Sequence, residues 1–377
     1  MSSVAVVPHL DLMANRDGKK PVLVLHIGAG KTGSSAIQSF LAKNRGRLAS
    51  MGILVPNGRM DYASGMGQQV FFLQELVDRP DAAETIRTKV DAAIAKFGAE
   101  KLKAFVISAE NLSNPHTLHE AFAPLRDDFE ICIVFYIRRQ EDFYLAAWQQ
   151  WHAKTGKPLE RWVKRTSEDF GDWAGVIDRW DQLKPEHFIL RVYDRSALVN
   201  GDVLQDFCAI LGLPLDYLEL DEKPANESFG VHVSALYSDI ADIFEDANDR
   251  RVEKLLYEYD VKAARKYKDE TLFTREELEF IRDKHAEGNK RVRERFFPEI
   301  EGDSPFRPLD HAKLKRPNQD ELNRRNIALL AELVFKHAVA TRTRHSELLG
   351  QLTTHLASEN KGPAPKKRWM RRLFGIR

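Results

Sequence analysis

Residues 26–41 read HIGAGKTGSSAIQSFL, with Lys31, Thr32, Ser34 and Ser35 inside five consecutive positions. Gly28, Gly30 and Gly33 are interleaved with them. A loop of small residues between a strand and a helix N-terminus turns backbone N–H groups toward an anion. Lysine adds a full positive charge, the hydroxyls add donors, and the glycines let a ligand approach the backbone. The alternative is a tight strand–helix turn that binds nothing. The density of donors favours anion binding.

The ATP- and GTP-binding loop G-x-x-x-x-G-K-[ST] is the obvious comparison. The position that needs its first glycine holds Leu25. The loop here is therefore shorter and suits one phosphate-like group better than a β/γ pair. A nucleotide hydrolase also needs an acidic strand end to hold Mg²⁺. The apolar run ICIVFYI, 131–137, ends instead in Arg138 and Arg139. Asp194 follows another strand but reads as a turn residue beside Arg195. Arginine cannot ligate a metal, but it holds a phosphate bidentately. A lysine loop and an arginine strand end together point to a nucleotide phosphorylated at two places.

HIGAGKTGSSAIQSFL resembles the 5′-phosphosulfate loop of sulfotransferases that use 3′-phosphoadenosine 5′-phosphosulfate, especially their bacterial branch. YIRRQEDFYLAAWQQ resembles that family's 3′-phosphate motif. SAENLS at 108–113, RVYDRSALVNGDVLQDFCAILGL at 191–213 and GNKRVRERFF at 288–297 are weaker matches in the same order. The resemblance runs from about 22 to 306. It implies an enzyme that moves a sulfuryl group to an acceptor hydroxyl, with the sulfonated nucleotide as co-substrate and no metal. It implies Gly30, Lys31, Thr32, Gly33, Ser34 and Ser35 around the 5′-phosphosulfate. Arg138 falls on the 3′-phosphate, with Arg139 or a downstream cation as helper. The family places a serine eight residues beyond that arginine, where this chain has Ala146. Asn289 falls in a matching piece, with no role assigned. The acceptor class implied is a carbohydrate or glycolipid.

Transfer of this kind needs a cation where charge builds on the leaving oxygen, which makes Lys31 a catalytic candidate. It also needs a base for the acceptor proton. Glu110, just past a strand end, is the first candidate, because those ends face the ligand crevice in open α/β sheets. The bland alternative for Glu110 is capping the next segment or pairing with an arginine. His26, ending the first strand, is the weaker candidate, and is equally a packed neighbour of the loop. His116, His119 and Glu120 have no metalloprotease spacing and read as a helical turn. Tyr144, Trp148 and Trp151 share one helix face, read as core, with a stacking wall for the acceptor as the alternative.

These groups need a scaffold. Strand runs are expected at 22–27, 104–108, 131–137 and 188–193, alternating with helices at about 36–51, 81–98, 141–154 and 202–211. That pattern predicts an α/β fold, a mainly parallel sheet flanked by helices, with further helices toward the C-terminus. Thr274/Glu277 and Asn318/Glu321 are capping boxes opening two of the later helices. The second helix, running to about Ser358, is amphipathic and packs on the domain or on a second subunit. The expected organisation is a flexible arm over 1–20, the α/β domain over 21–306, a helical extension over 307–360 and a basic amphipathic tail over 361–377.

The 377 residues carry 57 Lys+Arg against 56 Asp+Glu, and 43% are hydrophobic. This is a globular composition, and its near-neutrality argues against nucleic-acid binding. Residues 361–377 alone hold +7, leaving residues 1–360 at −6. The tail's mixture of basic residues with Trp369, Met370, Leu373, Phe374 and Ile376 fits an anionic membrane surface, the expectation being peripheral contact through 366–377. No run reaches the ~20 apolar residues of a spanning helix, and no signal peptide is visible. A cytoplasmic protein, peripheral at the inner face of the membrane, is expected. Cys132 and Cys208 read as buried free thiols. Two rivals stay open: a P-loop small-molecule kinase, and a non-catalytic nucleotide-binding module recruited to a membrane assembly.

Overall fold

A strand covered on both faces must be apolar at every position. Val22–His26 is buried throughout. In the computed structural model, which describes residues 9–14, 18–60, 71–114, 118–220, 229–310 and 312–359, this is β1. It lies mid-sheet. Ile53–Leu54 (β2), Ala104–Ser108 (β3), Glu130–Ile137 (β4) and His187–Val192 (β5) complete a five-stranded sheet of order β2-β3-β1-β4-β5. All four pairings are parallel. The expected α/β architecture is present. β2 adds an edge that two residues are too short to announce through periodicity.

Alternation along each strand feeds two cores. Leu23, Leu25, Phe105, Ile107, Ile133 and Phe135 face one side. Val22, Val24, Val106, Cys132, Val134 and Tyr136 face the other. The second core is covered by α1 (Ser34–Lys43) and by the later helix Val203–Leu211, through Ile37, Phe40, Phe207 and Ile210. A single helix is expected after the glycine loop. The chain instead breaks at Asn44 and resumes as α2 (Arg45–Ser50). Asn44 is fully buried, and its amide exchanges hydrogen bonds with the backbone of Glu219 at 2.9 and 2.8 Å. That long-range exchange occupies a side chain that competes with helix geometry.

The helices α3 (Ala82–Phe97), α4 (Gln140–Trp151), α5 (Leu159–Val163), α6 (Trp173–Asp181) and α7 (Val203–Leu211) follow. Asp202 caps α7 by accepting the N–H groups of Leu204 and Gln205, both at 2.9 Å, and Gly212 ends it at φ 64°. Beyond come α8 (Val231–Asp239), α9 (Arg251–Glu258), α10 (Arg275–Lys284), α11 (Ala286–Phe296) and α12 (Gln319–Glu359). The capping box of Thr274 and Glu277 is formed in full. At α12 only half forms. Asn318 accepts the Glu321 N–H at 2.9 Å, while the Glu321 carboxylate pairs with Arg325. Leu329 of α12 is buried with Val233 and Leu236 of α8 and with Trp148 of α4, in a third core. No described helix is long and apolar enough to cross a membrane. The basic tail and His116 lie outside the described residues.

Cys132 and Cys208 are buried and unpaired, and burial pushes both thiols up to about 12. A thiol so far above ambient pH supplies almost no thiolate. The folded protein at pH 8 is expected to release no chromophore from a chromogenic disulfide reagent, and two equivalents after unfolding in guanidinium. Rapid labelling of the folded chain would contradict this.

Candidate functional site

In an open α/β sheet the ligand crevice lies beyond the strand C-termini, where the strand order reverses. Here that is the boundary between β1 and β4. Both ends carry the expected residues, the glycine loop after β1 and Arg138 after β4. The register pairs His26 with Val134, so the two loops emerge side by side. Arg138 Nη1 donates to the Lys31 carbonyl at 3.0 Å. Its guanidinium also lies 6.0 Å from the Tyr193 ring centre.

The loop is held in an uncommon conformation. Lys31 is left-handed at φ 66° and Gly33 at φ 85°. Non-glycine residues in this region carry strain that the surroundings must support, and such strain clusters at functional sites. Thr32 is buried, and its hydroxyl donates to the Ala29 carbonyl at 2.6 Å. Its proton shapes the loop and is not offered to a ligand. Ser35 is exposed at the start of α1. Gly30 lies under Trp151, and a Cβ there would sit 3.2 Å from Cη2. A Cβ on Gly33 would meet Tyr193 Cε2 at 2.9 Å and Val203 Cγ1 at 3.0 Å. Gly33→Ala therefore combines backbone strain with a clash against the ring beneath Arg138. It is expected to cost about 2 kcal/mol in urea unfolding and to weaken anion binding. A variant as stable as wild type would mean that the loop relaxes freely.

Glu110 begins the turn after β3, and Ser34 Oγ donates to its Oε2 at 2.6 Å. The carboxylate thus stands against the glycine loop. Ser34, expected to face the nucleotide, spends its proton on Glu110. An acidic strand end, sought after β4 and absent there, is present two strands across the sheet, after β3. Lys31 is held below the ordinary lysine range, first by burial and then by Arg138 and Arg250, with Glu110 acting in the opposite sense.

His26 takes another role. It is fully buried, with Nδ1 2.7 Å from Ser108 Oγ and its ring edge-on to Tyr136 and Phe207. Burial lowers its pKa to about 3, so the ring is neutral. Nε2 has no partner and stands beneath Gly28. A ring with no surface cannot take a proton from a docked acceptor, so His26 is a packed neighbour of the loop. Arg139 also turns aside. Its guanidinium donates to Asp142 at 2.7 Å and to the Arg307 carbonyl at 3.1 Å.

Other cations stand nearer Arg138. Lys266, although it reaches solvent, is held below its ordinary range by surrounding protein, then by Arg138 and further by Arg195, with Asp142 and Asp269 acting in the opposite sense. Among the described residues, none of Lys31, Arg138, Arg195, Arg250 and Lys266 has a carboxylate within ion-pair distance. Lys266 and Arg250 lie in polar stretches, KYKDE and DANDRR, whose charges look like any solvated loop. Only their meeting in space marks them. Tyr144 and Trp148 are core, the former bonded to the Phe170 carbonyl and His285. Trp151 alone of that stripe reaches the loop. His119 is buried 3.3 Å from Gln182. Among the described residues no group of three or more His, Cys, Asp or Glu is placed to hold a metal.

No protein-family model matches the chain. An uncharacterised protein of Archaeoglobus fulgidus is 30% identical over 171 residues, 44% of this chain and 45% of that protein. The chain thus spans about half the length of the curated relative it matches. A sulfotransferase crystal structure from Alicyclobacillus acidocaldarius aligns with 59% of this chain and 94% of its own, at 15% identity and a TM-score of 0.31. Neither likeness assigns a chemistry to this site, and its geometry is the stronger guide.

Proposed function

We propose that the chain is a sulfotransferase that moves the sulfuryl group of 3′-phosphoadenosine 5′-phosphosulfate to an acceptor hydroxyl. The observation that carries this reading is the gathering of cations that form no ion pair among the described residues into two linked groups. Lys31, with Arg250 near it, stands at the glycine loop. Lys266, with Arg195 near it, stands by Arg138, which bridges to the loop through the Lys31 carbonyl. Like charges gathered with no carboxylate in ion-pair contact repel one another, and a ligand anionic at two separated points relieves both groups. A nucleotide bearing a 5′-phosphosulfate and a 3′-phosphate is such a ligand. Arg138, Lys266 and Arg195 would supply donors where Ala146 supplies none. A carbohydrate or glycolipid acceptor and inner-membrane contact through 366–377 belong to the same proposal.

The residues divide the work. The acceptor oxygen attacks sulfur in line, and the bond from sulfur to the bridging phosphate oxygen breaks. The acceptor proton passes to Glu110, beside the loop. Lys31 and the loop N–H groups meet the charge that builds on the departing oxygen. Ser34, donating to Glu110, holds that carboxylate in place.

A second reading has one observation in its favour. Ser34 and Glu110 beside Lys31 are a hydroxyl–carboxylate pair that could take Mg²⁺ with ATP. Calorimetry separates the two. Wild type is expected to bind adenosine 3′,5′-bisphosphate, with Arg138→Ala weakening it by about 10–100-fold through loss of a charge-assisted contact. Binding of ATP–Mg²⁺ without the bisphosphate would replace the sulfotransferase reading with the kinase one. Bisphosphate binding without turnover on any acceptor would favour a non-catalytic module.

A further inference from the structure

Lys154 is 5% exposed and lies outside the machinery described above. Its ammonium donates to the Asp249 carbonyl at 2.5 Å and pairs with Glu253 Oε1 at 2.6 Å. It also stands 5.8 Å from the ring centres of Tyr237 and Phe244. Glu253 Oε2 and the Tyr237 hydroxyl are buried without partners. Taking a lysine and a glutamate out of water is costly, and a pair this incompletely satisfied is weak evidence for stability. It asks for another explanation.

What the pair joins supplies one. Lys154 follows α4 by three residues, and the last residue of α4, Trp151, packs over Gly30 of the anion loop. Two residues past Lys154, a Cβ on Gly156 would lie 3.2 Å from Ala241, so the two segments are in contact. On the far side of the pair, residues 245–251 form a closed loop built on Asp249. Its carboxylate accepts the backbone N–H groups of Glu245 and Arg251 at 3.2 and 2.9 Å, and the Arg251 guanidinium at 2.6 Å. Arg250 is held between Asp249 and Arg251. It is exposed, with no side-chain partner among the described residues. Its charge acts on Lys31, whereas Lys266 feels Arg138 and Arg195. Contacts place it there too: it follows Asp249, whose carbonyl is held by Lys154, three residues beyond the Trp151 that packs over Gly30, so Arg250 belongs to the loop end of the cation cluster.

We propose that the buried Lys154–Glu253 pair is a positioning device that pins residues 245–253 against the end of α4, so that Arg250 meets the sulfuryl end of the bound nucleotide alongside Lys31. The inference rests on the sulfotransferase reading and deepens it. Arg250 becomes the residue that tells the sulfonated nucleotide from the spent one, because only the former carries sulfonate oxygens beyond the 5′-phosphate. Arg138, Lys266 and Arg195 hold the part common to both.

The test uses the full chain and two nucleotides, 3′-phosphoadenosine 5′-phosphosulfate and adenosine 3′,5′-bisphosphate, compared by calorimetry. Arg250→Ala is expected to weaken the phosphosulfate by about tenfold, the scale of one charge-assisted hydrogen bond. The bisphosphate should stay within about twofold. Lys154→Met/Glu253→Gln removes both buried charges together, avoiding a stranded one. It should give the same selective loss and faster amide exchange over 245–253. The triple variant should bind the phosphosulfate no worse than Arg250→Ala alone, since the pair acts through that arginine. Equal weakening of both nucleotides, no weakening of either, or losses that multiply in the triple variant would each overturn the proposal. Wild type that binds neither nucleotide would overturn the sulfotransferase reading itself, before any variant is made.

Discussion

Under the proposed sulfuryl transfer, Lys31→Ala is expected to lower the rate by about 10²–10³-fold, the effect of removing one preorganised donor at a developing negative charge. Lys31 is the cation of the glycine loop, held in a left-handed backbone at φ 66° and bridged through its carbonyl to Arg138. The alanine keeps the loop amides and the bridge, so the bisphosphate should bind with a smaller loss than transfer suffers. Initial rates with the sulfonated nucleotide, set beside calorimetry with the bisphosphate, read the two separately. Lys31→Gly sharpens the point. Glycine occupies the left-handed region without strain, so this variant should be as inactive as Lys31→Ala and unfold at no lower a denaturant concentration. Transfer within tenfold of wild type in both variants would remove Lys31 from the mechanism.

Asp206→Ala carries the largest expected cost in stability. Asp206 is fully buried, and its carboxylate gathers four donors. Arg191 reaches it through Nη2 at 2.5 Å and Nε at 3.0 Å, the Tyr136 hydroxyl at 2.9 Å and the Val199 N–H at 3.0 Å. Arg191 itself is only 6% exposed. Deleting one partner of a buried pair leaves the other charge uncompensated, a loss of about 3–5 kcal/mol. The measurement is the urea midpoint at unchanged m-value. Asp206→Asn, which keeps the shape and part of the bonding, should cost less. A shift under about 1 kcal/mol for the alanine variant would mean that Arg191 finds water or another acceptor. The network ties β4 and β5 to α7. Tyr136 precedes Arg138 by two residues, so partial unfolding here should also loosen nucleotide binding.

Much of the scaffold was legible in the residues alone. Apolar runs such as VLVLH and ICIVFYI are long enough, and rich enough in β-branched residues, to mark buried parallel strands. Gly98, Asp202, Gly212 and Thr274 end or open helices by local chemistry that needs no tertiary context. The break at Asn44 and the two-residue strand β2 were not legible, because both depend on partners far away in the chain.

The same division runs through the site. The glycine loop and the arginine strand end declare themselves in sequence, because each is a local cluster of residue types placed after an apolar run. Which hydroxyls keep a proton for a ligand is decided only in space. Thr32 gives its proton to Ala29 and Ser34 to Glu110, while His26 is sealed beneath Gly28 and Arg139 is drawn to Asp142. Lys266, Arg195 and Arg250 reach the cluster from three separate loops, a convergence no local pattern encodes. Local chemistry is set by neighbours in the chain. A binding site is set by which charges the fold leaves facing one another, and that depends on packing between segments up to some two hundred residues apart.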